Sequence, residues 1–187
     1  MEFEVSAQAR DKALNRRVAM TVVIFSVAMG LCNIKDANIV QAMQQAKSDS
    51  VDRWAEYQAT KTKWHIAETA LSEIRVVAGQ RPAPEAIRAL AALKREMDKY
   101  RTSAPLLVKQ ARGFAERYDQ LNVHDDQFDA SEALLSTAVS VAAVAALTEN
   151  FAALLGSWTF GLMGLFMGAC GFAASAFHPQ ALSSLLG

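Results

Sequence analysis

Three charge-free apolar stretches set the pattern of this chain: VAMTVVIFSVAMGLCNI (residues 18–34), LLSTAVSVAAVAAL (residues 134–147) and a run from Phe151 to about Phe177. The first covers about 25 Å as a helix, slightly less than the roughly 30 Å hydrocarbon core of a bilayer. The third is long enough to span with some tilt. The second is rich in alanine, which inserts only marginally alone, so neighbouring helices are expected to hold it. The pattern predicts transmembrane helices at 18–34, 131–148 and 151–177, flanked by an N-terminal tail (1–17) and a C-terminal tail (178–187). Thr148, Glu149 and Asn150 form the tight turn of a membrane hairpin. Ser26-Val27-Ala28 would also pass as a signal-peptide cleavage site, but Leu31 is too bulky to precede a lipid-modified cysteine at Cys32. The competing reading of the last two stretches is a buried helical pair in a soluble bundle.

Residues 35–130 contain no hydrophobic run, yet their apolar positions keep a rhythm of fours and threes. From Ile39 the series passes through Met43, Ala46, Ser50, Arg53, Tyr57, Thr60, Trp64, Ala67, Leu71 and Ile74 to Ala78, with Arg53 its one charged member. That is the seam of a coiled coil. GQRPAP interrupts it: Gly79 can end a helix, while Pro82 and Pro84 suit the turn and the first turn of the next helix. The rhythm resumes at Ala83 and continues through Leu90, Met97, Ala104, Ala111 and Tyr118 to Phe128, where only Asp125 is out of character. Matching arm lengths and a short link predict an antiparallel helical hairpin outside the bilayer, with its tip near residues 79–84. Pro105 removes a backbone hydrogen bond and clashes with the preceding turn, so a kink or break is expected near Ser103 to Pro105. The fold class is therefore all-α, with three membrane-crossing helices and a long extramembrane coiled-coil hairpin.

Charge sharpens this partition. No Lys or Arg follows Arg117, and after Glu132 the only acid is Glu149. The formal net charge of zero gives no clustered positive surface for phosphate backbones, so nucleic acid is not an expected partner. Arg10, Lys12, Arg16 and Arg17 precede the first span and favour a cytoplasmic N-terminus, with the hairpin on the periplasmic or extracellular side of a bacterial inner membrane. No charged residue falls at mid-membrane, which argues against a proton relay or an ion-coupled transporter.

Within the first arm, WAEYQATKTK (residues 54–63) resembles a bacterial membrane family known as domain of unknown function 4337. The likeness rests on Trp54, Tyr57, Gln58, Ala59 and Lys63, together with the order of one early span, a charged helical middle and two late spans. Glu56 stands where that family has a second aromatic. The resemblance implies a membrane protein of unassigned activity and carries over no catalytic residues.

Candidate chemistry is sparse. His65 has no second ligand at a metal spacing, and Cys32 and Cys170 both lie in apolar spans, where they read as small embedded side chains. In HDDQFDASE, Asp125, Asp126, Asp129 and Glu132 are weak candidates for a divalent cation, since hard cations favour carboxylate oxygens. The competing reading is a solvated helix end. There is no glycine-rich phosphate loop or nucleophile elbow, so neither a cofactor nor an enzyme is expected.

The remaining signal is a stripe of small residues in the third span: Ser157, Gly161, Gly164, Gly168, Gly171 and Ser175. Lipid tails are as apolar as leucine, so helices in a bilayer associate through close packing, which small residues permit. The stripe is expected to face either the second span, whose Ala138, Ala142, Ala145 and Ala146 are equally small, or a neighbouring subunit. Ser136, Thr137 and Ser140, with Ser157 and Thr159, are expected to bond to helix carbonyls rather than line a pore. Trp54, Tyr57 and Trp64 are candidate anchors for a partner, against a core role at seam positions. The expected function is a non-catalytic structural or accessory membrane protein: a homo-oligomeric scaffold, or a small subunit of a larger complex that uses the hairpin as spacer and docking surface. The alternative is an oligomeric channel-like or transport component.

Overall fold

The computed structural model describes the backbone of residues 2–173 and the side chains of residues 12–173. The fold is all-helical: α1 spans Glu2–Ala78, α2 spans Pro84–Leu147 and α3 spans Phe151–Phe172. Each is long and apolar enough in part to cross a membrane. The chain divides into two units, one formed by Met1–Ala42 with Gln120–Gly187 and the other by Met43–Asp119.

The helix ends follow from local chemistry. Gly79 takes a left-handed φ of 59° directly after α1, a conformation that costs glycine little and other residues more. Pro84 opens α2, where its missing N–H is not needed. Between α2 and α3, Glu149 adopts φ 51°, and Asn150 caps α3 by accepting a hydrogen bond from the Ala152 N–H at 2.8 Å. The expected turn at residues 148–150 is therefore present. The third span was expected to reach residue 177; α3 ends at Phe172, and residues 174–177 lie outside the described ones.

In the unit Met43–Asp119 two antiparallel helical segments pack together. Ser50 Oγ donates to the Ala111 carbonyl at 3.0 Å, and Lys47 lies over the Tyr118 ring. Met43, Ala46, Ala67, Leu71, Leu107 and Ala111 are buried. Seam positions between them, among them Arg53, Tyr57, Trp64, Met97, Tyr100 and Ala104, are half-buried, and most intervening residues are exposed. Two helices alone enclose only part of a seam, which explains the half-burial. Arg53 is tolerated because its guanidinium reaches outward to Glu56 at 2.6 Å.

The break expected at Ser103–Pro105 does not occur, because α2 runs through Pro105 as continuous helix. Nearby hydroxyls add bonds to carbonyls of the preceding turn: Thr102 Oγ1 donates to Asp98 and Lys99, and Ser103 Oγ to Tyr100. Pro105 still withholds one backbone donor. Pro105→Ala is therefore expected to stabilise this segment by about 2 kcal/mol, measured as slower amide hydrogen exchange over residues 101–109.

The other unit is a bundle of three helical segments. Leu14 and Val18 of α1 meet Ala142 and Ala145 of α2 and Leu154 of α3 at one end. Phe25 packs with Leu135 and Ala138 further along.

Candidate functional site

The small residues of α3 lie on one buried face, since Ser157, Gly161, Gly164, Gly168 and Gly171 are all buried. Ser175 lies outside the described residues. The partners of the stripe belong to the same chain, and they come from two helices rather than one. The Phe25 ring of α1 occupies the space where a Cβ on Gly161 would sit. A Cβ on Gly164 would stand 2.8 Å from Leu135 Cγ and 3.1 Å from the Leu135 backbone nitrogen. At Gly168 it would meet Cys32 Sγ and Ser131 Oγ, both at 2.9 Å, and at Gly171 the Phe128 ring at 2.8 Å. Each glycine thus admits a neighbour that alanine would exclude. Ala138, Ala142 and Ala145 supply the matching small surface on α2, all fully buried.

Close approach lets hydroxyls bond across helices. Ser157 Oγ donates to the Ala138 carbonyl at 2.7 Å, and Ser131 Oγ to the Gly164 carbonyl at 2.8 Å. Ser136, Thr137, Ser140 and Thr159 instead bond to carbonyls of their own helices. Trp158 Nε1 donates to Thr21 Oγ1 at 2.9 Å, linking α3 to α1. Interhelical polar bonds of this kind contribute about 0.6 kcal/mol on average in lipid. A double-mutant cycle with Thr21→Val and Trp158→Phe, read by thermal unfolding in detergent, is expected to return a coupling of about 0.6–1.7 kcal/mol.

At the end of the bundle remote from the α2–α3 turn, acidic residues gather. Asp36 of α1 and Asp125 of α2 face one another within hydrogen-bonding reach. The Oδ1 atom of each is buried without a hydrogen-bond partner. Burial, then the charges of Asp125 and Asp129, raise the Asp36 carboxyl from 3.8 to about 7. Asp125 is raised as well, chiefly by burial. Two carboxyls this close favour a shared proton over two negative charges. Glu132 accepts from Asn33 Nδ2 at 3.2 Å, Asp126 from Asn122 at 3.5 Å, and Asp129 is exposed. Among the described residues no three His, Cys, Asp or Glu side chains are grouped so as to hold a metal ion. The Asp129 carboxyl is raised by partial burial and then by the charges of Asp125, Asp126 and Glu132.

Sequence reasoning missed Asp36, although a signal was available. Counting back from Ile39 in threes and fours reaches Asp36, Cys32, Met29 and Phe25. The rhythm therefore continues into the first span, and the two acidic members of the opposed seams, Asp36 and Asp125, meet. The same count finds Phe25 and Cys32, the α1 residues that fill the space over Gly161 and Gly168.

In the unit Met43–Asp119, the candidate anchors are neither core nor fully free. Tyr57 and Trp64 line an open groove of about 550 Å³ with Met97, Arg101, Ala104 and Pro105. Trp54 is 37% exposed and meets Tyr57 edge to face at 5.7 Å. His65 is an exposed residue 3.5 Å from Glu68. Cys32 and Cys170 are free thiols.

Residues 14–174 match the model of a family described as a domain of unknown function, DUF4337. No curated protein and no solved structure matches the chain.

Proposed function

The chain belongs to the DUF4337 family, and from that premise we propose that it is a non-catalytic structural or accessory protein of the bacterial inner membrane. Its three-helix unit crosses the bilayer, and its two-helix unit is an antiparallel coiled-coil hairpin that serves as spacer and docking surface. The N-terminus lies in the cytoplasm and the hairpin on the opposite side. The observation that carries the reading is the outer surface of the three-helix unit. Met20, Val23, Val27, Leu31 and Ile34 of α1 are 58–66% exposed, and Leu162, Met163 and Phe166 of α3 are 55–65% exposed. So large an apolar surface is unfavourable in water and natural in lipid. The inward face is equally suited to lipid, since its association relies on small residues and satisfied hydroxyls.

Self-association or docking to other membrane subunits supplies the function. The groove beside Tyr57 and Trp64 offers aromatic surface of the kind that anchors partners. Because Ala138, Ala142, Ala145 and Leu154 are fully buried between the helices of the bundle, a pore would have to form between protomers.

The test is mild detergent extraction of the tagged full-length protein from its native membranes, followed by mass measurement of the intact particle and identification of copurifying chains. A detergent-dependent homo-oligomer or heteromeric complex supports the proposal. A monomer that stays dissolved without amphiphile overturns it. A symmetric ring that conducts ions in liposomes replaces it with the channel reading.

A further inference from the structure

On the outer surface of the three-helix unit, α1 and α3 leave a groove of about 430 Å³. Met20, Ile24 and Phe25 form one side, Trp158 and Leu162 the other, and Arg17 stands at one end. The volume lies within the roughly 300–1,000 Å³ of small-molecule sites, and the walls are almost wholly apolar. Arg17 lies one residue before the apolar run that begins at Val18, and Ile24 is about 10 Å further along the helix axis. If the unit crosses a bilayer as proposed above, the guanidinium is at headgroup level and the groove descends from it into the acyl region.

Arg17 is not committed elsewhere among the described residues. Its guanidinium lies over the Phe151 ring at 5.7 Å, and it makes no ion pair or hydrogen bond with any described side chain. A cation–π contact at this distance leaves the guanidinium N–H groups available, and their fork geometry matches phosphate oxygens. The Trp158 indole, already bonded to Thr21, stiffens the opposite wall.

We propose that this groove is a binding site for one anionic phospholipid, with its phosphate on Arg17 and an acyl chain along Ile24, Phe25 and Leu162. Charge complementarity selects the occupant: a net-negative headgroup is attracted by Arg17, whereas the choline of a zwitterionic lipid offsets its own phosphate. The inference rests on the membrane reading, and its test separates the two.

The full-length protein in detergent is titrated with phosphatidylglycerol or with phosphatidylcholine of the same acyl chains, and bound lipid is counted by native mass spectrometry. A preference of about fivefold for phosphatidylglycerol is expected, the size of one basic residue's attraction to an anionic lipid surface. Arg17→Gln is expected to abolish the preference, and Arg16→Gln, outside the groove lining, to leave most of it. Leu162→Trp, at a position 65% exposed and therefore tolerant of size, is expected to reduce the binding of both lipids by filling the groove. Equal binding of the two lipids by the wild type, equal losses in Arg16→Gln and Arg17→Gln, or unchanged binding in Leu162→Trp overturns the site. Failure of the membrane reading shows earlier, as a protein that needs no detergent before any lipid is added.

Discussion

Replacing Gly164 with leucine is expected to lower the melting temperature of the detergent-solubilised protein by about 5–10 °C, corresponding to about 2–3 kcal/mol of overpacking. The cost arises because the nearest obstacles include the Leu135 backbone nitrogen, at 3.1 Å from an added Cβ, which cannot rotate away as a side chain does. Separating α2 from α3 would also strain the Ser131 bond to the Gly164 carbonyl. Gly161 makes an instructive contrast. Its obstacle is the outer edge of the Phe25 ring, which can swing, so Gly161→Ala is expected to cost less than Gly164→Ala. Gly30 provides the control, because nothing lies within 4 Å of the position its Cβ would take. Gly30→Leu should leave the melting temperature unchanged or raise it slightly, since leucine is the better helix former. Equal losses at Gly30 and Gly164 would mean that glycine matters through backbone flexibility rather than close approach.

The second large effect is a dependence on pH. Asp36 is raised from 3.8 to about 7 by burial and by the neighbouring charges of Asp125 and Asp129. Such a carboxyl costs the native state nothing below about pH 4, where both states are protonated, and progressively more as pH rises toward 7. Between about pH 4 and 7 the native state binds more protons, so stability falls as pH rises through this window and levels off above it. Asp36→Asn keeps a side chain of the same shape and removes the titration. The variant is expected to flatten the slope and, at pH 8, to melt about 2–4 °C above the wild type. That shift corresponds to about 1 kcal/mol, a figure reduced for solvent screening because the pair is only half-buried. Thermal unfolding in detergent at pH 5 and pH 8 measures both. A wild-type melting temperature that rises over this interval would show that the two carboxyls do not oppose one another in the native state.

Much of this architecture was legible because the physics is periodic. The heptad rhythm predicted which residues between Met43 and Tyr118 turn inward, and burial follows it nearly position by position. The glycine stripe could be read as a packing face because lipid leaves helices little other means of association. Its partners were harder to name. A stripe says that something approaches closely, whereas the choice between another subunit and this chain depends on where α1 lies, and the apolar composition of span 18–34 hides its own seam. Asp36 was overlooked for a related reason: beside Lys35 it resembles the polar end of a span, and only the extended count shows that it faces Asp125. Pro105 misled in the opposite direction. An isolated helix would lose about 3 kcal/mol to it, yet α2 continues through it without a break.

The most direct measurement of the central claim is the environment of the apolar belt. Spin labels placed one at a time at Val27, Met163 and Val76, in a background with Cys32 and Cys170 replaced by alanine, are read in lipid nanodiscs against molecular oxygen and a water-soluble nickel chelate. The labels at 27 and 163 are predicted to be open to oxygen and closed to the chelate, and the label at 76 to show the reverse. Free access of the chelate to positions 27 and 163 would contradict the placement of the three-helix unit in lipid.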